Sequence, residues 1–492
     1  MTRKGAWFIA PPLFSIAMLM LTKFPMASGF ARPRSYPHRT LRSSKSLCSV
    51  AELQSITVEP IEKCVGEVVL PGSKSLSNRA LLLAALSTGD TEVQNLLISD
   101  DIRYMLQALE ALGVQVEVVD ESRGVFRIQG NGGAFSSKKP ENEPLELFLG
   151  NAGTAMRPLA AVLCFGKGKF LLDGVERMRE RPIADLVDGL TQLGGFVTCS
   201  STGCPPVSIA AEKISGGAAR ISGQVSSQFL SALLMAAPLA EGEIVVEITD
   251  ELVSAPYVLL TIGLMKKFGV QVHNAENSRF TVAENQAYES PGSIFVEGDA
   301  SSASYFLAAG AITGGPVTVV GCGSDSVQGD IGFAKILEQM GATVVWAPNS
   351  ITVSREPGTS LKGVDVDCGD IPDAAMTLAT VALFCGGRTA IRNVYNWRLK
   401  ETERMVAIVT ELRKLGVLVE EGRDFCIIEP PGNSSLPANV AIDTYDDHRM
   451  AMCFALVACG GVPVVINEPG CTSKTFPDFF DKLKSITVQR HH

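Results

Sequence analysis

The sequence predicts an α/β protein made of two pseudo-threefold domains, and three observations lead there. Turn glycines recur at Gly89, Gly168, Gly242, Gly315, Gly387 and Gly461, spaced 79, 74, 73, 72 and 74 residues apart. Each follows an Ala- and Leu-rich segment of helical length. Each precedes an apolar, often β-branched run such as Glu243-Ile244-Val245-Val246 or Pro316-Val317-Thr318-Val319-Val320. A second helical segment comes next and usually closes on glycine, as in Leu109-Glu110-Ala111-Leu112-Gly113-Val114 and Leu190-Thr191-Gln192-Leu193-Gly194, and in segments ending at Gly269, Gly341 and Gly416. Glycine suits the left-handed residue that closes a helix. Six such units group as two sets of three.

The first helix of each unit is apolar nearly all round, as over 229–237 and 374–383, and is expected to be buried. The second carries charge on one face, as over 333–340, and is expected to lie outside. Hydroxyl and charged residues cluster where helices are expected to begin: Ser73-Lys74-Ser75, Asn151-Ala152-Gly153-Thr154, Ser226-Ser227-Gln228, Lys400-Glu401-Thr402-Glu403-Arg404, Asp447-His448-Arg449 and Ser473-Lys474-Thr475. Parallel helices would bring these starts to one face of each domain. Two such faces opposed make a cleft lined with anion-binding groups.

The length of 492 residues also suits two domains. Residues 1–50 hold eight Lys or Arg and no Asp or Glu, so the remainder sets 35 bases against 52 acids, about −17 in net charge. A body that acidic is a poor binder of nucleic acid, whose affinity rests on neutralising phosphates. An anionic substrate must be gathered by local cation clusters. Twelve cysteines form no C-x-x-C pair, and only five histidines are present, so no metal site is expected. Scattered thiols fit a reducing compartment.

Residues 7–21 are apolar and follow Arg3-Lys4, as in a signal peptide, and Ala27-Ser28-Gly29-Phe30-Ala31 supplies small residues for cleavage. Five bases among serines over 32–45 follow, as in a transit peptide. The two in series resemble the bipartite leaders of plastids wrapped in extra membranes. Residues 1–50 are read as a cleaved leader. A membrane anchor is disfavoured because the apolar stretch is short and interrupted by Pro11-Pro12.

Leu70-Pro71-Gly72-Ser73-Lys74-Ser75-Leu76-Ser77-Asn78-Arg79 opens an apolar helix with cations. A helix start already attracts anions, so cations placed there make sense around an anionic ligand, phosphate or carboxylate. The spacing of a Walker A loop is absent.

That segment, Leu149-Gly150-Asn151-Ala152-Gly153-Thr154-Ala155-Met156-Arg157-Pro158 and residues 398–404 resemble the signatures of the 5-enolpyruvylshikimate-3-phosphate synthase family, over about 53–487. The resemblance implies an inside-out α/β barrel fold, each domain holding three βαβαββ units. It puts residues 73–297 in an N-terminal-type domain and 51–72 plus 298–492 in a C-terminal-type one, with crossings near Pro71-Gly72 and Glu297-Gly298. It also implies transfer of the enolpyruvyl group of phosphoenolpyruvate to the 5-hydroxyl of shikimate 3-phosphate, with loss of phosphate.

By the same resemblance shikimate 3-phosphate is held by Lys74, Ser75, Arg79, Ser226, Ser227, Gln228, Ser254, Tyr257, Asp373, Asn396 and Lys400. Phosphoenolpyruvate is held by Lys74, Asn151, Gly153, Thr154, Arg181, Gln228, Arg404, Arg449 and Lys474. Asp373 would be the base at the 5-hydroxyl, a role it can combine with capping its helix. Glu401 would carry the proton to C3, with Lys74 assisting and His448 in support. No cofactor is implied, since phosphoenolpyruvate brings its own leaving group. The partners expected are the two small substrates, with no nucleic acid, no lasting membrane association once the leader is gone, and a monomeric state. Glyphosate is expected to compete with phosphoenolpyruvate. Like charges on each half-site are expected to favour an open form until anions bridge the cleft.

Two rivals are weighed. An enolpyruvyl transferase acting on UDP-N-acetylglucosamine usually carries a reactive cysteine before an Ala-Arg-Pro-like loop, whereas Gly174-Val175-Glu176-Arg177-Met178-Arg179-Glu180-Arg181-Pro182 has none. A phosphate-ligand binding protein without catalysis is disfavoured by the presence of Lys74, Asp373, Glu401 and Arg404.

Overall fold

The computed structural model describes residues 53–432 and 435–489. The basic leader read over residues 1–50 lies outside them. Six units each pair two helices: α1 (Lys74–Leu86) with α2 (Asp100–Ala111), α3 (Gly153–Cys164) with α4 (Ala184–Gln192), and α5 (Ser227–Ala236) with α6 (Ala255–Lys267). The second set is α7 (Ala300–Thr313) with α8 (Gly332–Gln339), α9 (Ala375–Val381) with α10 (Arg404–Lys414), and α11 (His448–Ala455) with α12 (Phe479–Ser485).

The odd-numbered helices are the hidden ones. Every residue of α9 and α11 is buried, and in α1 only Ser75 is not. In α2 the buried set is Asp101, Ile102, Met105, Ala108 and Leu109, one face of a 3.6-residue period. The closing glycines Gly113, Gly194, Gly269, Gly341 and Gly416 all have positive φ, as a left-handed helix end requires.

Two separate hydrophobic cores form. One draws on residues from Leu76 to Val296, the other on Ile61 to Leu70 and Ala300 to Ile486. We call these the first and second lobes. Within each, an inner helix bridges two parallel strands of one sheet: α3 joins Leu145–Phe148 to Gly168–Asp173, α5 joins Gly217–Ile221 to Ile244–Ile248, and α9 joins Asp365–Asp367 to Thr389–Arg392. Antiparallel neighbours complete each sheet.

Each lobe closes on itself through a strand remote in sequence. Ser293–Phe295 pairs in parallel with Asp90–Gln94 in the first lobe. Gly66–Val69, although it precedes the first lobe in the chain, pairs with Val317–Val320 in the second. The chain therefore crosses between lobes twice, and the crossings touch. Gly72 and Gly298 form an antiparallel bridge, flanked by Ser73 N–H to Glu297 O at 2.8 Å and Asp299 N–H to Pro71 O at 2.9 Å. A side chain on Gly72 would overlap the Asn95 carbonyl, so glycine is needed for this approach. Among the described residues no helix is long and apolar enough to cross a membrane.

Candidate active site

The starts of inner helices from both lobes, α1, α3, α5 and α9, meet at one cleft. From the first lobe come Lys74, Ser75 and Arg79 on α1, Gly153 and Thr154 on α3, and Arg181 just beyond the turn Glu176–Glu180. Ser226, Ser227 and Gln228 open α5, with Ser226 Oγ accepting from Gln228 N–H at 3.2 Å as an N-cap. Ser254 and Tyr257 open α6. The second lobe supplies Asp373, Asn396, Lys400 and Glu401.

The remaining residues read from the sequence stand behind this lining. Arg404 begins α10 and is 1% exposed, yet three carboxylates meet it: Asp447 at 2.7 Å, Glu401 at 2.8 Å and Asp373 at 2.9 Å. Arg449, in the first turn of α11, reaches Asp373 Oδ2 at 3.0 Å and Tyr305 Oη at 3.1 Å. Asn151 orients Arg181, whose Nη1 donates to its carbonyl at 3.0 Å and to its Oδ1 at 2.9 Å. Lys474 Nζ donates to the same carbonyl at 3.2 Å.

Three local expectations are corrected. Lys474 does not open a helix but ends the tight turn Pro469–Lys474, five residues before α12. Asp373 does not cap α9, whose N-cap is Ala374 with no side-chain cap. Both its oxygens are taken by Arg404 and Arg449, the stronger charge-assisted partners. The like charges expected to hold the lobes apart are paired across the cleft: Lys74 of the first lobe lies 3.6 Å from Glu401 of the second, and Lys474 lies 3.7 Å from Asp101 of the first.

These pairings set the charge states. Burial pushes the Asp373 carboxyl up, but Arg449, Lys400 and Arg404 outweigh it and hold it well below the usual range. Glu401 is likewise raised by burial and lowered further by Arg404, Lys474, Lys74 and Arg181, so it is ionised. Arg79, buried between Thr261 Oγ1 at 2.8 Å and the Ser75 carbonyl at 3.0 Å, is pushed down by burial to about 10. His448 is fully buried, and neither ring nitrogen has a hydrogen-bond partner. Burial first, then Lys74 and Arg449, push it well below its ordinary value, so it is neutral despite lying 3.5 Å from Asp447.

Sequence reading missed five residues. Asp101 sits between Lys74 and Lys474 at 3.6 and 3.7 Å. Asp447 caps α11 and anchors Arg404. Arg157 lies beside Gly153 with Nε and Nη1 unpaired. Arg177 ties the lobes together, and Asp330 lies beneath Tyr257. Only two carried a signal: Asp447 by its place before His448-Arg449, and Arg157 by falling one turn after Gly153.

A closed cleft whose cations come from both lobes, with two ionised carboxylates among them, defines an enzyme site for small polyanions. A family model described as EPSP synthase (3-phosphoshikimate 1-carboxyvinyltransferase) matches residues 58–483. The chloroplastic 3-phosphoshikimate 1-carboxyvinyltransferase of Petunia hybrida is 56% identical over 458 residues, covering 91% of this chain and 88% of that protein. The enzyme of the same name from Vibrio atlanticus is 56% identical over 437 residues, 89% of this chain and 100% of its own. The solved EPSP synthase of Acinetobacter baumannii superposes with a TM-score of 0.72 at 26% identity, covering 89% of this chain and 99% of that one. The chain belongs to the EPSP synthase family. It is an enzyme of the shikimate pathway that transfers the enolpyruvyl group of phosphoenolpyruvate to the 5-hydroxyl of shikimate 3-phosphate.

Proposed function

We propose that this transfer takes place between the two lobes, taken as domains 73–297 and 51–72 plus 298–492, with the residue roles that follow. The observation carrying the reading is Arg404, which holds Asp373 and Glu401, the base and the proton carrier, on one guanidinium. Shikimate 3-phosphate rests on Ser226, Ser227, Gln228, Ser254 and Tyr257, with Ser75, Arg79, Asn396 and Lys400 completing its contacts. The phosphate of phosphoenolpyruvate is taken by Lys74, Arg181 and Lys474 beside Gly153, Asn151 and Thr154. Its carboxylate is taken by Arg404 and Arg449.

In the reaction the 5-hydroxyl oxygen bonds to C2 while its proton passes to Asp373. Glu401 takes up a proton from solvent as the substrates bind and passes it to C3. The tetrahedral adduct then returns that proton to Glu401 and expels phosphate, which carries away the proton held by Asp373. Both carboxylates are poor proton acceptors while their cations face them. A phosphate and a carboxylate bound to Lys74, Lys474, Arg404 and Arg449 draw off that stabilisation, which raises both pKa values toward the reaction's needs. Lys74 stands by the leaving phosphate, and neutral His448 packs behind Glu401.

The enzyme needs no cofactor and works as a monomer on its two small substrates, without nucleic acid or lasting membrane association. It acts in the plastid, reached through the leader over residues 1–50. The chloroplastic plant relatives support that location. A phosphate-release assay with both substrates tests the reaction. Release with UDP-N-acetylglucosamine in place of shikimate 3-phosphate, or no release with either, would sink it.

A further inference from the structure

Asp330 belongs to none of the sequence motifs, yet it lies directly under the site. It is 3% exposed, in the turn Gly329–Ile331 that leads into α8 of the second lobe. Its Oδ2 accepts from the Tyr257 hydroxyl, which comes from the first lobe, and from Ser301 Oγ at 3.0 Å. Its Oδ1 accepts from the Ala374 N–H at 3.1 Å. Ala374 is the N-cap of α9 and follows Asp373 directly.

Two further contacts bring the same part of the first lobe here. Pro256, in the first turn of α6, packs so closely on Gly329 that a Cβ there would lie 2.5 Å from the proline Cβ. Ser254 Oγ donates to the Gly369 carbonyl at 3.0 Å. The start of α6, which carries two of the shikimate 3-phosphate residues, is therefore seated in a socket of the second lobe with Asp330 at its base.

We propose that Asp330 is a positioning residue for the transfer reaction, receiving the α6 turn as the lobes close and fixing, through the Ala374 N–H, the backbone that aims Asp373. The proposal rests on the reading of Asp373 as the base. Arg404 and Arg449 pull on the Asp373 carboxylate from one side. Asp330 restrains its backbone from the other, so the carboxylate cannot follow its cations out of line. A buried carboxylate is costly unless its donors are all present, and Tyr257 supplies one of them only when the lobes meet. Occupancy of the shikimate 3-phosphate site and alignment of the base are thereby linked.

The test uses the full-length enzyme with Asp330→Asn, Gly329→Ala, Tyr257→Phe and the Asp330→Asn/Tyr257→Phe pair. Gly329→Ala removes no polar group and sits on ordinary backbone, so it wedges the socket alone. We expect Asp330→Asn to lower kcat by about 10- to 100-fold, as misplacement of a reacting group does. Gly329→Ala should weaken shikimate 3-phosphate binding and enlarge the radius of gyration of the ligand-saturated enzyme. The KM for phosphoenolpyruvate should move little in both. The paired variant should lose less than the product of the single losses. Parent-like kcat and shikimate 3-phosphate affinity in both Asp330→Asn and Gly329→Ala, with only a lower melting temperature, would overturn the proposal. Should Asp330→Asn not fold, Gly329→Ala decides it. Asp373→Asn is the reference: if that variant keeps its turnover, the base reading fails separately, and Asp330 is judged on affinity and radius alone.

Discussion

Arg177 of the first lobe donates to the main chain beside Glu401 of the second. Its Nε lies 3.2 Å from the Glu401 carbonyl and its Nη2 lies 3.0 Å from that of Lys400. Glu180 holds the same guanidinium from behind at 2.7 Å. The loop that presents Lys400 and Glu401 is thus fixed by the lobe that carries Arg181. Arg177→Ala should lower kcat/KM by about 10- to 100-fold, the worth of one charge-assisted hydrogen bond at about 1.5–3 kcal/mol. The melting temperature should stay near that of the parent because the site is an inter-lobe contact. Steady-state kinetics and a thermal melt on one preparation read both. A melting temperature that fell in step with activity would place Arg177 in the fold instead.

Glu401→Gln and changes at Arg404 should separate chemistry from binding. Loss of the proton carrier is expected to lower kcat by about 10²–10⁴-fold with smaller effects on either KM. Arg404→Ala is a harsher change than the sequence alone suggests, because it strips the wholly buried Asp447 of its cation. Breaking a buried pair costs about 3–5 kcal/mol. Arg404→Lys keeps the charge, and it should raise the KM for phosphoenolpyruvate with less loss of stability. If Glu401→Gln altered only KM, the division of roles would be wrong.

Gly153 is hemmed in by cations. A methyl group there would overlap Arg157 Nη1 and approach Arg181 Nη2 to 2.7 Å, so Gly153→Ala must displace Arg157 or the phosphate-binding Arg181. Glyphosate, longer than phosphoenolpyruvate, should lose more affinity than the substrate does. Comparing the inhibition constant with KM in the two proteins checks this, and equal losses would show that Gly153 does not discriminate.

Acid should act on stability in two opposed stages. Asp330 is raised by burial and by Asp373 to about 6 from an ordinary 3.8, so the folded state binds its proton more readily. The stability linked to this group therefore rises as pH falls from about 6 to about 4. Asp373 and Glu401 are depressed, so their contribution is complete above the unfolded carboxylate range and is lost as pH falls below about 4. Urea midpoints at pH 3, 4, 5 and 6 should show a shallow optimum, and Asp330→Asn should remove its rise between pH 6 and 4. His448, held neutral, should show no imidazole titration by NMR from pH 5.5 to 8. A titrating His448 would overturn its assignment as a neutral residue.

Substrate-linked closure takes a different basis from the one the charges first suggest. The lobes already meet through Lys74–Glu401, Lys474–Asp101 and Tyr257–Asp330. Scattering in 1 M salt, with and without shikimate 3-phosphate, should show a smaller radius of gyration with ligand. The ligand-free radius should grow in 1 M salt, which screens the exposed part of these pairs. A radius unmoved by both would leave closure without support.

The architecture was legible because it repeats. Six glycines at near-equal spacing, six helices apolar nearly all round and a second, more polar helix in each unit leave few ways to bury the chain, and local periodicity states them directly. The cation-rich helix starts were legible for a similar reason: Lys74, Gly153 and Arg404 stand in long motifs. What the chain order conceals is which acid meets which base. Asp101, Asp330 and Asp447 look like ordinary helix-start acids, and only the meeting of two lobes sets Asp101 against Lys474 and Asp330 under Tyr257. The same holds for Asp373, which by sequence suits a helix cap and in space answers to Arg404 and Arg449 instead. Backbone periodicity is a local property and fixed the two-lobed frame. Charge pairing acts through space between segments hundreds of residues apart, so tertiary structure decided which carboxylates face the site's cations and which are drawn away from their helices.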